Sequence, residues 1–220
     1  MRTSEGEVKM KKIAIMGLSV LMLAGCGHST DKLAAFYTQI DTVNQKEKPV
    51  IEVNKNLQKL ESEKVERFNK ISQAKKQDIK MINSNAQKLV ENTEARKQAI
   101  DKEIKAYDDS ETAYRKAKDL AKDIKNKEQK KEAADLTAVM DEKYAGHDEL
   151  MASYQDVLKK ENDLFKYLEG KKPETEEVNS MIEKLNKSTE SFQQKMTSYN
   201  KTMEKIQKES ADVVKLLNSK

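Results

Sequence analysis

The chain has 220 residues, and 36% of them are charged while another 36% are hydrophobic. Soluble domains usually have about 25% charged residues and about 45–50% apolar ones, and this chain has only six glycines and two prolines with which to form turns. Parallel-sheet enzymes need long apolar strands and glycine-rich turns, and β-sandwiches need a turn roughly every 8–12 residues, so both classes are disfavoured. A few long helices, or a disordered chain of mixed charge, remain.

The first 25 residues have the pattern of a secretory signal peptide. The basic pair Lys11-Lys12 precedes an apolar run over 13–23. This run is too short to cross a bilayer, which needs about 20 apolar residues, but it suits the apolar region of a signal peptide. Met1 and Met10 are both possible translation starts, and nothing downstream depends on the choice.

The apolar run ends in Leu23-Ala24-Gly25-Cys26, which looks like a bacterial lipobox. In proteins with this signal, the peptide is cut just before the cysteine, and the thiol is linked to diacylglycerol. We therefore predict that Cys26 is lipidated and that this covalent diacylglycerol, which is no separate cofactor, is the only attached group. The alternative is a plain secretory signal followed by an incidental cysteine.

This interpretation divides the chain into a removed signal peptide (1–25), a lipidated tether (26–29) and a single helical-bundle domain (30–220). Removal of the leader takes away four basic and two acidic residues, so the net charge falls from +4 to +2. So small a net charge provides no long-range attraction to nucleic acid or to a membrane. Cys26 is the sole cysteine, which rules out a disulfide framework.

The remaining chain is periodic and almost free of turn residues, which favours helices over disorder. A short helix is predicted over about 30–48. Its apolar face consists of five residues, Leu33, Phe36, Tyr37, Ile40 and Val43.

Three long helices are predicted after it, over about 50–107, 111–169 and 174–218. Two positions are candidates for the turn between the first and second long helices, Asp108–Ser110 and Asn126. The turn at 108–110 gives three helices of comparable length that can cover one another, so it is preferred. The predicted fold is all-α, an elongated antiparallel three-helix bundle of coiled-coil type with a short extra N-terminal helix.

The last helix has the clearest pattern. Twelve positions between 178 and 217 alternate spacings of four and three residues, and ten of them are apolar, as in a heptad seam. They are Val178, Ile182, Leu185, Thr189, Phe192, Met196, Tyr199, Met203, Ile206, Ser210, Val213 and Leu217.

Candidate catalytic residues are few. His28 lies in the tether, and His147 is predicted to be a half-buried residue between helices. Two distant histidines and no free thiol do not make a transition-metal site. Carboxylate pairs such as Asp108 and Asp109 have no cleft in a thin bundle that would raise one pKa. The sequence therefore predicts a protein that is not an enzyme.

One lysine cluster of the mature chain consists of Lys125, Lys127, Lys130 and Lys131. Such a cluster could contact teichoic acids or lipid head groups. Glutamates interrupt it, however, so a solvated helix face with ion pairs between neighbouring turns is the simpler interpretation.

The lipobox, the opening Cys26-Gly27-His28 and the helix restart at Lys172-Pro173 resemble the YkyA-type lipoproteins of Gram-positive Firmicutes. That family is described as binding the cell wall. The resemblance implies a helical bundle on the outer face of the cytoplasmic membrane. It also implies peptidoglycan, teichoic acid or an envelope protein as the partner.

The function expected from these patterns is that of a membrane-anchored extracytoplasmic lipoprotein that binds the cell wall or another envelope component. The alternative is a self-assembling or partner-docking coiled-coil surface protein, such as a host-facing antigen or a secretion helper. The sequence leaves the oligomeric state open.

Overall fold

A computed structural model describes residues 31–75, 78–170 and 173–219, which contain five helices and no strand. The prediction of an all-α bundle is confirmed. The helices are α1 (Asp31–Glu47), α2 (Pro49–Ser72), α3 (Ile79–Lys122), α4 (Lys127–Gly170) and α5 (Thr175–Asn218).

The first two helices form a single interrupted rod. Only Lys48 separates them, and its backbone is helical, with φ −51° and ψ −39°. Pro49 has no N–H group for the helix ladder, and its ring crowds the preceding turn, so the ladder breaks here while the chain continues. The described chain therefore consists of four rods of similar length, and the predicted count of three long helices is wrong.

The rods pack in chain order, α1/α2 on α3, α3 on α4, and α4 on α5. The Gln39 amide donates to the Ala113 carbonyl at 3.1 Å, and the Asn92 amide donates to the Leu60 carbonyl at 2.8 Å. Early residues of the first rod thus lie beside late residues of α3, so these two rods run in opposite directions.

The two ends of the bundle differ in what they contain. Lys32 pairs with Asp123 at 3.5 Å, which places the start of α1 against the connection between α3 and α4. We call this end, with the last turns of α5, the N-terminal end. The connections that follow α2 and α4 lie at the opposite, far end. A 44-residue helix such as α4 separates the two ends by about 66 Å.

The predicted turn at 108–110 is wrong, because α3 continues through it. Ser110 is fully buried there, and its hydroxyl donates to the Tyr107 carbonyl within the same helix at 2.9 Å. The chain turns instead at 123–126, the alternative that the length argument rejected. Asn126 caps α4, since its side-chain oxygen accepts the N–H groups of Glu128 and Gln129 at 3.0 and 3.1 Å.

The predicted helix over 50–107 is also interrupted, between Ser72 and Ile79. The length argument failed because it assumed that this segment was continuous. No glycine or proline marks this break. Asp78 stabilises it instead, because its carboxylate accepts the Lys75 N–H at 3.1 Å.

Burial is uneven among the rods. The main core joins α1, α3 and α4, and a smaller core near the far end includes Leu89 and Phe165. The apolar seams of α2 and α5 are mostly half-buried, and Val65 of α2 is 54% exposed. Within the described residues, no helix combines the length and apolar content needed to cross a bilayer.

We expect Asp109→Pro to destabilise the protein by about 3 kcal/mol or more, because it removes a hydrogen bond in the middle of α3 and places a proline ring against the preceding turn. Chemical denaturation followed by far-ultraviolet circular dichroism measures this change. Lys125→Pro, in the connection before α4, is the control and should cost about 1 kcal/mol or less. A tolerated Asp109→Pro would contradict a continuous α3.

Candidate functional site

The predicted lipobox, Leu23 to Cys26, lies outside the described residues. The described chain begins at Asp31, five residues after Cys26, at the N-terminal end of the bundle. Five residues span at most about 18 Å when fully extended. A lipid on Cys26 would therefore hold this end of the bundle, and not the far end, next to a bilayer.

The basic cluster predicted from the sequence lies at this same end. Lys125, Lys127 and Lys130 are exposed, and none has a carboxylate within 4.0 Å among the described residues. Lys131 differs, because it pairs with Glu132 at 3.1 Å and with Asp135 at 2.6 Å. Three of the four lysines thus carry uncompensated charge beside the α3–α4 connection.

A buried charged layer crosses the bundle nearer the far end. Arg96 of α3 is 0% exposed, and its guanidinium donates to Glu61 of α2 at 2.6 Å and to Glu161 of α4. Lys64 donates to the other oxygen of Glu161 at 3.1 Å. Tyr154 donates to Glu61 at 2.7 Å. We call these five residues the Arg96 layer, and they link three rods.

The electrostatics of the Arg96 layer depend on complete pairing. Burial by itself raises the pKa of Glu61, but the charges of Arg96 and Lys64 and the hydrogen bonds from Lys64 and Tyr154 outweigh it and lower that pKa to about 2. Burial by itself lowers the pKa of Arg96, but the charges of Glu161 and Glu61 outweigh this effect and raise the pKa above its ordinary value. Glu61 and Arg96 are therefore both charged near neutral pH.

A second buried layer lies closer to the N-terminal end. Lys143 of α4 donates to Glu47 of α1, and the Ser110 hydroxyl of α3, which also contacts the Tyr107 carbonyl, lies 2.8 Å from the same carboxylate. The Lys143 ammonium also lies 5.2 Å from the ring centre of Tyr107 and 5.1 Å from that of Tyr144, which adds cation–π attraction. We call Lys143, Glu47, Ser110, Tyr107 and Tyr144 the Lys143 layer, and they join α1, α3 and α4.

His147 lies between helices, as predicted, but it is buried rather than half-buried, with 1% exposure. Its ring stacks on Tyr107 with centroids 3.5 Å apart, and its Nε2 atom lies 3.5 Å from a carboxylate oxygen of Glu103. His147 is thus a core residue. His28 lies outside the described residues.

One group of three carboxylates comes close enough to surround a cation, namely Glu132, Glu209 and Asp212. Lys131 pairs with Glu132, and Lys208 pairs with Glu209 at 2.9 Å, so this surface charge is already compensated. These residues line an open groove of about 510 Å³ between α4 and α5, whose walls alternate acids and lysines. We assign no metal to it.

The aromatic side chains of the described chain face inward. Six of the seven tyrosines are buried, and Tyr167 is half-buried with its hydroxyl accepting the Glu174 N–H at 3.2 Å. The surface formed by the described residues therefore has no exposed aromatic ring on which a sugar could stack.

The sequence reasoning missed both buried layers, although a signal for them existed. Arg96 and Glu103 continue the spacing of Leu89, Thr93 and Ile100 along the buried face of α3. Lys143 and Glu161 do the same on α4. Charged residues at positions of a heptad seam therefore indicated buried ion pairs.

Residues 31–216 match a family described as "Putative cell-wall binding lipoprotein", the YkyA family. The chain belongs to this family. The resemblance noted from the lipobox and the helical pattern is thus confirmed. The family description includes no enzymatic activity.

Two relatives of this YkyA-family chain extend the comparison. The "Uncharacterized lipoprotein YkyA" of Bacillus subtilis (strain 168) is 25% identical over 181 residues, which are 82% of this chain and 81% of that protein. A crystal structure of a conserved Staphylococcus aureus protein of unknown function is 24% identical and covers 90% of this chain and 100% of its own. Its TM-score of 0.77 supports the helical-bundle fold.

We expect Glu61→Gln to lower the free energy of unfolding by about 2–3 kcal/mol near neutral pH. Because the folded-state pKa of Glu61 is lowered to about 2, the stability it contributes is present above its ordinary pKa and is lost as the pH falls. The difference between wild type and variant should therefore shrink between about pH 5 and about pH 2 in urea titrations.

Glu91→Gln, which replaces an exposed carboxylate of α3 outside the Arg96 layer, is the control. It should leave the pH dependence of unfolding unchanged. If the destabilisation caused by Glu61→Gln did not change with pH, this would contradict a charged Glu61 paired with Arg96.

Proposed function

We propose that the chain is a non-enzymatic lipoprotein, anchored through diacylglycerol on Cys26 to the outer face of the cytoplasmic membrane of a Gram-positive bacterium, where its bundle binds cell-wall polymer. The observation that carries the proposal is the position of the lipobox. It lies five residues before Asp31, so the anchor joins one end of a rod about 66 Å long.

This geometry suits a protein that reaches outward from a membrane. The lipid would hold the N-terminal end, and the far end would extend toward the wall. The family description, a cell-wall binding lipoprotein, supports the same assignment.

The interior supports a structural rather than a catalytic role. Within each of the two buried layers, the charged groups pair with one another across helices. Most of the charged residues that line the groove between α4 and α5 also form ion pairs. Catalytic acids and bases instead require a pocket that a substrate can enter. We therefore propose no reaction for this chain.

The half-buried seam of α5 bears on the alternative, a coiled coil between chains. Phe192 of this seam stacks on Tyr154 of α4 within the same chain, with centroids 4.8 Å apart. Because α5 already packs along α4, the seam is partly used inside the molecule. This packing favours the anchored wall-binding rod over self-assembly through α5.

Binding of wall polymer to the bundle surface would be electrostatic, since the described residues expose no aromatic ring on which a sugar could stack. Lysines would pair with the phosphates of teichoic acid or with peptidoglycan carboxylates, and such pairs weaken with salt.

Replacement of the anchor tests the first half of the proposal. We expect Cys26→Ser to abolish labelling by radioactive palmitate and to release the protein from the membrane fraction, because no other residue carries the thioether. Ser29→Ala, in the same tether, is the control and should behave as wild type. Unchanged membrane retention of Cys26→Ser would contradict anchoring at this position.

Co-sedimentation with isolated cell walls tests the second half. The mature protein should pellet with the walls at low salt, and the bound fraction should fall several-fold at high salt or after teichoic acid is extracted. Lysozyme-solubilised wall fragments should compete for the protein. Absence of binding at low salt would remove wall binding while leaving the anchor intact.

A further inference from the structure

The N-terminal end of the bundle has a surface whose partner its position indicates. Lys125, Lys127 and Lys130 are exposed and have no carboxylate within 4.0 Å among the described residues. Asp123, the acid inside this connection, is already paired with Lys32 at 3.5 Å. Over 122–131 there are five lysines and two acidic residues.

The same end is the one closest to the predicted anchor. The ion pair of Lys32 with Asp123 ties the start of α1 to the lysine-bearing connection, so the tether leaves the bundle beside these lysines. A tether of at most about 18 Å allows the lysines to come within one screening length, about 8 Å at physiological salt, of the head groups. Electrostatic attraction to an anionic bilayer acts within that distance.

The far end lacks this combination of features. Among the described residues, Lys75 and Lys166 are exposed there, but the same end also contains three exposed glutamates at the start of α5, Glu174, Glu176 and Glu177. It is also separated from Asp31 by the length of the rod, about 66 Å, so its charges lie beyond the reach of the bilayer field.

We propose that Lys125, Lys127 and Lys130 rest on anionic phospholipid head groups and so hold the rod upright, with its far end directed away from the membrane. This inference rests on the lipid anchor at Cys26. Each ammonium group pairs with lipid phosphate, and the anchor supplies the high local concentration that three lysines alone could not provide. The lipid restrains position, and the lysines restrain orientation.

The test uses the lipidated mature protein reconstituted into vesicles. Because Cys26 is the sole cysteine and its thiol is blocked by lipid, an introduced cysteine can be labelled uniquely. A fluorophore is attached at Ser219→Cys on the N-terminal end or at Ser72→Cys on the far end. The vesicles are phosphatidylcholine with or without added phosphatidylglycerol, and they contain a head-group quencher.

We expect phosphatidylglycerol to increase quenching of the Ser219→Cys probe and to leave the Ser72→Cys probe unquenched. Combining Lys125→Gln, Lys127→Gln and Lys130→Gln should lower the ratio of docked to undocked protein at least tenfold, since each lysine near an anionic surface contributes about a fivefold factor. High salt should have the same effect on the wild type.

The matched control combines Lys75→Gln, Lys80→Gln and Lys166→Gln, which remove three exposed lysines at the far end. This variant should dock as wild type does. All six positions are exposed, and circular dichroism confirms that both triple variants are folded.

Three results would overturn the proposal. If the protein enters vesicles but phosphatidylglycerol does not change the quenching, docking is wrong while the anchor stands. If the protein does not enter vesicles at all, the anchor and the docking both fail. If the three lysines bind soluble polyglycerol phosphate while the Ser219→Cys probe stays away from the vesicles, their partner is wall polymer.

Discussion

Arg96 can be buried only because carboxylates pair with its charge, and this requirement organises the interior of the bundle. An unpaired buried charge would cost several kcal/mol, whereas a paired and hydrogen-bonded one is tolerated. Glu61 belongs to α2, Arg96 to α3 and Glu161 to α4. A shift of any of these helices along its neighbour would therefore leave a charge unpaired in the core. The Lys143 layer applies the same constraint to α1, α3 and α4.

These layers explain how a chain with so little apolar content can build a long bundle. The core is continuous around α1, α3 and α4 but thin along α2 and α5, whose seams are half-buried. Hydrophobic packing alone would leave the register of such seams weakly specified. Ion pairs between specified residues supply that register, and the result is a rod rather than a globule with a cleft.

The rod form relates the fold to the proposed function. In the proposed function, a single anchor on a tether of a few residues would determine which end faces the bilayer, but it would leave the tilt of the rod free. Exposed lysines beside the tether would restrain the tilt, while charged residues elsewhere on the surface would remain available for weak, salt-sensitive contacts. The described surface therefore offers electrostatic recognition over a long reach.

Helical content, the apolar face of α1 and the heptad pattern of α5 were predictable, because a period near 3.6 and the scarcity of glycine and proline are local properties of the chain. The start of α2 at Pro49 and the separation between α4 and α5 were predictable for the same reason. The break between Ser72 and Ile79 was not, since it has no glycine or proline and is stabilised by a side-chain hydrogen bond from Lys75 N–H to Asp78. Without that break, comparison of helix lengths selected 108–110 instead of 123–126.

The sequence by itself determined the helical class and the family to which the chain belongs, and it predicted the lipobox, because each rests on residue type and spacing. Only the tertiary structure decided which charged residues are buried together and which lysines are left unpaired. Arg96, Glu61 and Glu161 belong to three different helices, so their pairing depends on how the rods align. The exposure of Lys125 and the burial of Lys143 likewise depend on neighbours distant in the chain, which no local pattern records.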